Sequence, residues 1–279
     1  MIANKLPTVK GLNNVFNSIG WADYTCNPVT GCERVSDGCK HCYAHGVHAR
    51  FNNGVPFSRI QFHPERLDAP LKLKRPSIIF VGSMTDMFHK DVPFEAVRDI
   101  INVISQVPQH TFMLLSKRPE RMAEFFKLAN EYYQVEKPLS NLHLGVTAEN
   151  QEMADARIPV LLSIPAAGHF ISAEPMLGAI QIPDKYLKCK GITVCDELKC
   201  GGGPQSRGEE SWCAPDNCPP RIDLVICGKE NGSGSRECKP EWVIDLYDQT
   251  RSAGVKFYAK NGMPEGVPEH IKNCKEKIA

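Results

Sequence analysis

From residue 70 onward the chain repeats one pattern: a short, nearly unbroken apolar run, a polar cluster, then apolar positions at helical spacing. The runs are SIIFVGS (77–83), HTFMLLS (110–116), NLHLGVT (141–147), GHFISAE (168–174), IDLVICG (222–228) and GVKFYAK (254–260). Each is too short for a helix and too continuously apolar for a strand with one wet face. Each is therefore predicted to be a strand buried on both faces. Helices are predicted at about 94–106, 119–133, 150–163 and 240–253. FEAVRDIINVI sets Phe94, Val97, Ile100, Ile101 and Ile104 on one stripe, with Pro93 at its start. EWVIDLYDQTRSAG runs to Gly254, a helix stop. Alternating strands and helices predict an α/β protein with a parallel sheet and right-handed crossovers. A further strand near 19–25 brings the expected number to seven.

Polar residues recur just past each strand. Ser83 and Asp86 come after the first of the six runs, Ser116, Lys117 and Arg118 after the second, Thr147 and Glu149 after the third. Glu174, then Lys229 and Glu230, then Lys260 and Asn261 come after the remaining three. Carboxyl ends of parallel strands share one face, where barrel-like folds place their active sites. Any one of these residues reads equally well as a loop residue or helix cap; the recurrence is what points to a site.

The 279 residues are 42% hydrophobic and 23% charged, an ordinary globular composition that excludes a disordered chain, a collagen and a coiled coil. No apolar window is long enough to span a membrane, and residues 1–20 lack a secretory leader's pattern, so a cytoplasmic protein is expected. The net charge of +1 makes any anion-binding face a local matter. Cysteine changes the picture. Of the twelve, four lie at 26, 32, 39 and 42, five at 189, 195, 200, 213 and 218, and single ones at 227, 238 and 274. Clusters of this kind mean disulfides or metal, and without a leader metal is the better reading.

The first cluster reads Gly31-Cys32-Glu-Arg-Val-Ser-Asp-Gly38-Cys39-Lys-His-Cys42, a C-x6-C-x2-C spacing. The glycine before two of the cysteines permits tight, positive-φ turns around a metal. Three thiolates can hold three irons of a [4Fe–4S] cluster and leave the fourth open. Zinc would want a fourth ligand, for which Cys26, His41 and His45 are the candidates.

WADYTCNPVTGCERVSDGCKHCYA, FVGSMTDMFHKDVP, QHTFMLLSKRPERM, LHLGVTAENQ, ISAEPMLG and GKENGSGSRECKPEWV, in that order between about Trp21 and Gly262, carry a resemblance. The chain resembles a phage-associated family of unknown function in the radical S-adenosylmethionine superfamily, whose better-understood relatives are similar to spore photoproduct lyase. The superfamily's usual spacing is C-x3-C-x2-C, and the longer first gap resembles this family's own version. The resemblance implies a partial (β/α) TIM-type barrel of about six to seven parallel strands. It further implies a [4Fe–4S] cluster on Cys32, Cys39 and Cys42, with S-adenosylmethionine on the open iron yielding a 5′-deoxyadenosyl radical. Ser83, Asp86, Ser116, Lys117, Thr147, Glu149, Glu174 and Glu230 are then the candidates to hold that cofactor. An electron donor is the implied partner.

Residues 1–18 read as an arm, 19–262 as the barrel interrupted by a cysteine-rich insertion at 184–221, and 263–279 as a tail. In the insertion, Cys195-x4-Cys200-x12-Cys213-x4-Cys218 forms two matched knuckles, enough for structural zinc or a second iron–sulfur cluster. Lys117, Arg118, Arg121, Lys229, Arg236, Lys239 and Lys260 could bind phosphates of a nucleotide or nucleic acid, with Trp21, Tyr43 and Trp212 stacking on bases. Trp21 and Tyr43 fit equally well as packing around a cluster. Two functions stand side by side: a radical enzyme acting on an unknown substrate, and a zinc-bearing interaction module without redox chemistry.

Overall fold

The computed structural model describes residues 6–16, 18–51, 54–133, 138–187, 220–232 and 234–278. Cys189, Cys195, Cys200, Cys213 and Cys218, and so the second metal site, lie outside the described residues. In chain order the N-terminal part holds β1 (Leu12–Asn14), β2 (Tyr24–Cys26), β3 (Val29–Thr30), α1 (Tyr43–Phe51) and β4 (Gln61–Phe62). The repeating part holds β5 (Ile78–Val81), α2 (Phe94–Gln106), β6 (Thr111–Ser116), α3 (Pro119–Tyr133), β7 (Leu142–Thr147), α4 (Gln151–Leu161) and β8 (Gly168–Ala173). A short α5 (Asp184–Leu187), β9 (Ile222–Cys227), α6 (Pro240–Ser252), β10 (Lys256–Ala259) and α7 (Glu269–Lys272) complete it.

All six apolar runs are strands, and the four expected helices form within a few residues of their expected bounds. One sheet has the order β1-β2-β5-β6-β7-β8-β9-β10. It is parallel from β2 to β10, and β1 joins β2 antiparallel. No pairing joins β10 back to β1 among the described residues, so a closed barrel is not seen. The edges are covered locally instead. β1, inside the stretch read as an arm, masks β2. At the other edge the C-terminal segment bridges β10 at Tyr258 and Lys275, and Ala259 N–H donates to Cys274 O at 2.9 Å. Among the described residues no helix is long and apolar enough to cross a membrane.

β7 and β8 are buried along their whole length, as strands covered on both faces must be. Alternate residues divide between two cores. Ile79, Leu114, Leu144, Ile171 and Phe257 face the helices, including the α2 stripe of Val97, Ile100 and Ile104. Phe80, Met113, Phe170, Leu224 and Tyr258 face inward and form a second cluster around Trp21. The Trp21 ring lies 4.8 Å from Phe80 of β5 and 6.2 Å from Phe170 of β8. In a flat sheet those strands would stand about 14 Å apart, so one indole touching both requires the sheet to curl around it. Gly145 of β7 makes room inside the curl: a Cβ there would lie 2.4 Å from the Phe170 ring.

Gly145→Ala should therefore overpack the inner core and cost about 1–3 kcal/mol, read as a lower denaturant midpoint. Phe170→Leu in the same chain should recover part of that loss, giving a coupling energy between the two sites. Simple additivity would mean that the ring does not fill the glycine's space.

Candidate functional site

The inward alternation that makes the core also makes the site. On β8 it reads Phe170, Ser172, Glu174; on β6 Met113, Leu115, Lys117; on β10 Tyr258, Lys260. Apolar rings floor the curl, and the polar residues beyond them rim a cavity of about 240 Å³ at the carboxyl ends of the strands. Cys32, Cys39 and Cys42 line it together with Ser83, Asp86, Ser116, Lys117, Thr147, Glu174 and Glu230. Glu149 does not line it. Ser172 does, and sequence reasoning passed over it although its place between Phe170 and Glu174 on the inward face of GHFISAE marks it.

The cysteines arrive on the segment between β3 and α1. Gly31 has φ +100°, and a Cβ there would meet Arg59 O at 2.3 Å, so glycine is required on two counts. Thr85 Oγ1 donates to Gly31 O at 2.6 Å, and Cys32 N–H donates to Phe57 O at 2.8 Å. Gly38 departs from the expected positive-φ turn. It sits in a 3-10 turn at 37–39, and glycine is needed because a Cβ would lie 2.9 Å from the Glu149 carboxylate.

Three acid–arginine pairs hold this segment at three points. Asp86, almost fully buried, accepts from Ser116 Oγ (2.7 Å), Phe88 N–H (3.0 Å), Lys117 N–H (2.9 Å) and Arg118 Nη1 (2.9 Å). The Arg118 so fixed lies 4.0 Å from Cys32 Sγ and donates to Glu33 O at 3.3 Å. Glu149, wholly buried, takes Arg157 Nη1 at 2.8 Å and Gly38 N–H at 3.3 Å. Burial pushes its carboxyl up, but the Arg157 charge, a hydrogen bond with Ser36 and the Lys117 charge together outweigh that and hold it below the usual range. Glu230 takes Arg236 Nε at 3.0 Å and His41 Nδ1 at 3.1 Å, and Arg236 reaches on to Asp37 O at 2.9 Å. Arg236 holds the Glu230 carboxyl down at about 2. Asp86, Glu149 and Glu230 thus spend their oxygens on the protein.

Ser83 Oγ is also engaged, with Asn27 at 3.0 and 3.1 Å, while Tyr43 O–H donates to Ser83 O at 2.6 Å. Lys117 Nζ donates to Thr147 Oγ1 at 3.2 Å, and Lys260 Nζ pairs with Glu174 at 2.6 Å. Of the other cations singled out in the sequence, Arg121 lies over the Phe94 ring at 4.3 Å and Lys239 over Trp242 at 5.6 Å. Trp21 is 4% exposed and belongs to the inner core.

The donor set discriminates between metals. Sulfurs around one tetrahedral zinc stand about 3.8 Å apart, given Zn–S of ~2.3 Å. Among the described residues, no three ligand atoms at the cysteine segment lie within 4.8 Å of one another. Cys26 belongs to the outer core, 3% exposed, its Sγ toward Arg66 O at 3.8 Å and its thiol pushed up by burial to about 12. His41 is engaged by Glu230, and His45 packs edge-on against Phe57. The group that does close within 4.8 Å is Glu33, His89 and Asp91. There His89 Nδ1 already accepts Asp91 N–H at 3.1 Å, and burial keeps the ring neutral, so Nε2 carries the proton and offers a metal no lone pair. Three free thiols spread around one cavity fit a cluster whose irons are separate better than they fit a single ion.

Fold and site together define an α/β protein with a curled, mostly parallel eight-stranded sheet and a three-cysteine segment across its carboxyl edge. Residues 16–275 match the family described as "Protein of unknown function (DUF5131)", and the chain belongs to that family. Among solved structures it is similar to two variants of spore photoproduct lyase, with TM-scores of 0.48 and 0.46 at 9% identity, over 91% of this chain and 80% of theirs. No curated protein matches it.

Because the folded Glu230 carboxyl lies below its unfolded value of ~4.3, the clamp it forms is complete above that pH and is lost as pH falls toward 2. Glu230→Gln should loosen the segment at neutral pH, raising amide exchange at Lys40 and Cys42 by roughly ten- to a hundredfold. It should also remove the acid-induced rise expected of the parent. Unchanged exchange at neutral pH would show that the clamp does not hold the segment.

Proposed function

We propose that the chain is an iron–sulfur enzyme of the radical S-adenosylmethionine type. Cys32, Cys39 and Cys42 would hold a [4Fe–4S] cluster, and S-adenosylmethionine would take its open iron. One observation carries this reading: three free thiols share a cavity with Ser172, Lys117 and Lys229, which no acid engages among the described residues. With both groups bound, the cluster and cofactor supply a 5′-deoxyadenosyl radical, chemistry that no side chain here can supply.

The protein's part is to bind, orient and exclude water. Lys117, steadied by Thr147, presents an ammonium to the cofactor's carboxylate, and Ser172 and Glu174 offer oxygens from β8 to its amino or hydroxyl groups. Asp86, Glu149 and Glu230 act at one remove, by fixing the cysteine segment. Trp21, Phe80 and Leu115 give the cavity a dry floor. Arg118, paired with Asp86, turns its guanidinium toward Cys32 Sγ, a contact of the kind that would tune a cluster held there. An external one-electron donor is the partner this chemistry needs. A phage association, a cytoplasmic setting and a second metal on Cys195, Cys200, Cys213 and Cys218 complete the proposal.

Protein purified without oxygen should carry iron and sulfide and show the broad visible absorbance of thiolate-bound iron. Alanine at Cys32, Cys39 or Cys42 should abolish it, and alanine at Cys26 should leave it. With dithionite and S-adenosylmethionine the loaded protein should release 5′-deoxyadenosine. A colourless protein with stoichiometric zinc bound by these three cysteines would refute the reading.

A further inference from the structure

Every carboxylate lining the cavity already faces a cation, and two lysines are left over. Asp86 pairs with Arg118 at 2.9 Å, Glu174 with Lys260 at 2.6 Å, Glu33 with Lys90 at 3.1 Å, and Glu230 with Arg236. Lys117 and Lys229 also line the cavity, and among the described residues neither meets a carboxylate. Lys117 has the Thr147 hydroxyl, whereas Lys229 has no hydrogen-bond or ion-pair partner among the described residues. Two ammonium groups with no carboxylate in ion-pair reach leave donors for an anion that enters this concave site. The cluster and cofactor do not cancel them. A 2+ core on three thiolates carries one net negative charge, and S-adenosylmethionine carries one net positive charge.

The two lysines serve different groups. Lys117 lies just past β6 and Lys229 just past β9, with β7 and β8 between them. Lys117 stands on the Asp86–Arg118–Cys32 side, where the proposed cofactor's carboxylate would lie. Lys229 stands by the turn after β10, its Cε 3.7 Å from where a Cβ on Gly262 would be. We infer that Lys229 anchors an anionic oxygen group, phosphate or carboxylate, of the substrate. The assignment to substrate rests on the radical-enzyme reading; the anion site itself does not. Of the other cations singled out in the sequence, Arg118, Arg236 and Lys260 are paired with acids, and Arg121 and Lys239 lie on aromatic rings.

The test is a ³¹P NMR titration of anaerobically purified protein with inorganic phosphate, followed by competition with acetate, with iron assayed in the same samples. Saturable phosphate binding should weaken about tenfold or more in Lys229→Gln, the loss expected for one charge-assisted hydrogen bond. It should persist in Lys229→Arg and change little in Lys117→Gln. Displacement by acetate at comparable concentration would identify a carboxylate site, and resistance to acetate a phosphate site. Absence of saturable binding of either anion, or equal phosphate binding by wild type and Lys229→Gln, would overturn the inference. Iron-free protein whose phosphate binding still depends on Lys229 would keep the anion site and sink the enzyme reading. Iron-loaded protein indifferent to Lys229→Gln would do the reverse.

Discussion

The contact of Trp21 with Phe80 and Phe170 is the constraint on which the rest of the molecule depends. A parallel sheet buried on both faces needs cover for each, and its crossover helices here supply one. The other face is filled chiefly by Trp21, entering from the segment before β2 with Ile19 and Ile278 beside it, and the strands close around it. The curl results from that filling, and the cavity results from the curl. Side chains at the carboxyl ends of β6, β7, β8 and β10 would point into water along an open edge in a flat sheet. Bent around an indole, the same positions converge. The nearby glycines are the converse of this packing: a Cβ at Gly20 would meet the Tyr258 hydroxyl at 2.3 Å, as one at Gly145 would meet Phe170.

What the sequence disclosed and what it hid divide along one physical line. Strands buried on both faces and amphipathic helices announce themselves locally, so β5 through β10 and the four long helices were legible. β3 and β4, at two residues each, have no period to read, and β1 lies in polar-looking sequence as LNN. α1, YAHGVHARF, holds a glycine and two histidines and buries only Ala44 and His48, so no stripe marks it. In the site, strand-end positions could be read by counting, whereas partners could not. Nothing local says that Glu149 is met by Arg157 and by an amide more than a hundred residues upstream. The same holds for Asn27, whose amide bridges Ser83 Oγ and Met84 N–H from the end of β2. A carboxylate at a strand end is visible in sequence, but whether its oxygens are free is decided by tertiary contacts.

The three acid–arginine pairs share a logic. Each is largely buried, and buried ion pairs add little net stability because desolvation offsets their attraction. What each does contribute is a directed contact to a different point of one segment: Cys32 and Glu33 from Asp86–Arg118, Gly38 from Glu149–Arg157, Asp37 and His41 from Glu230–Arg236. The anchors come from the ends of β5 and β6, of β7, and of β9, which brackets the cavity. A segment of irregular backbone carrying three thiols has no helix or sheet ladder to fix its shape, so its geometry has to come from outside contacts. Directional, charge-assisted hydrogen bonds provide this where apolar packing would leave it free to slide.

The chain also contains its own standard for a cysteine that merely fills space. Cys26, Cys227 and Cys238 are 3%, 0% and 7% exposed, and burial pushes the Cys26 and Cys238 thiols up to about 12 and about 11. Cys227 Sγ is turned to Met176 Sδ at 3.7 Å. Cys32, Cys39 and Cys42 differ on every count: they are partly exposed, lie outside both cores and line one cavity. Nor is Cys32 arranged as a nucleophile. Burial and the Asp86 carboxylate raise its thiol despite Arg118, and among the described residues its thiol donates only to a backbone carbonyl, Glu33 O at 3.5 Å. A thiol so placed gives up its proton to a metal or keeps it. Three anchors on one segment suit the first role, because a space-filling cysteine needs no orientation. Holding three partly exposed thiols around one cavity is what a metal-binding segment requires and a space-filling cysteine does not.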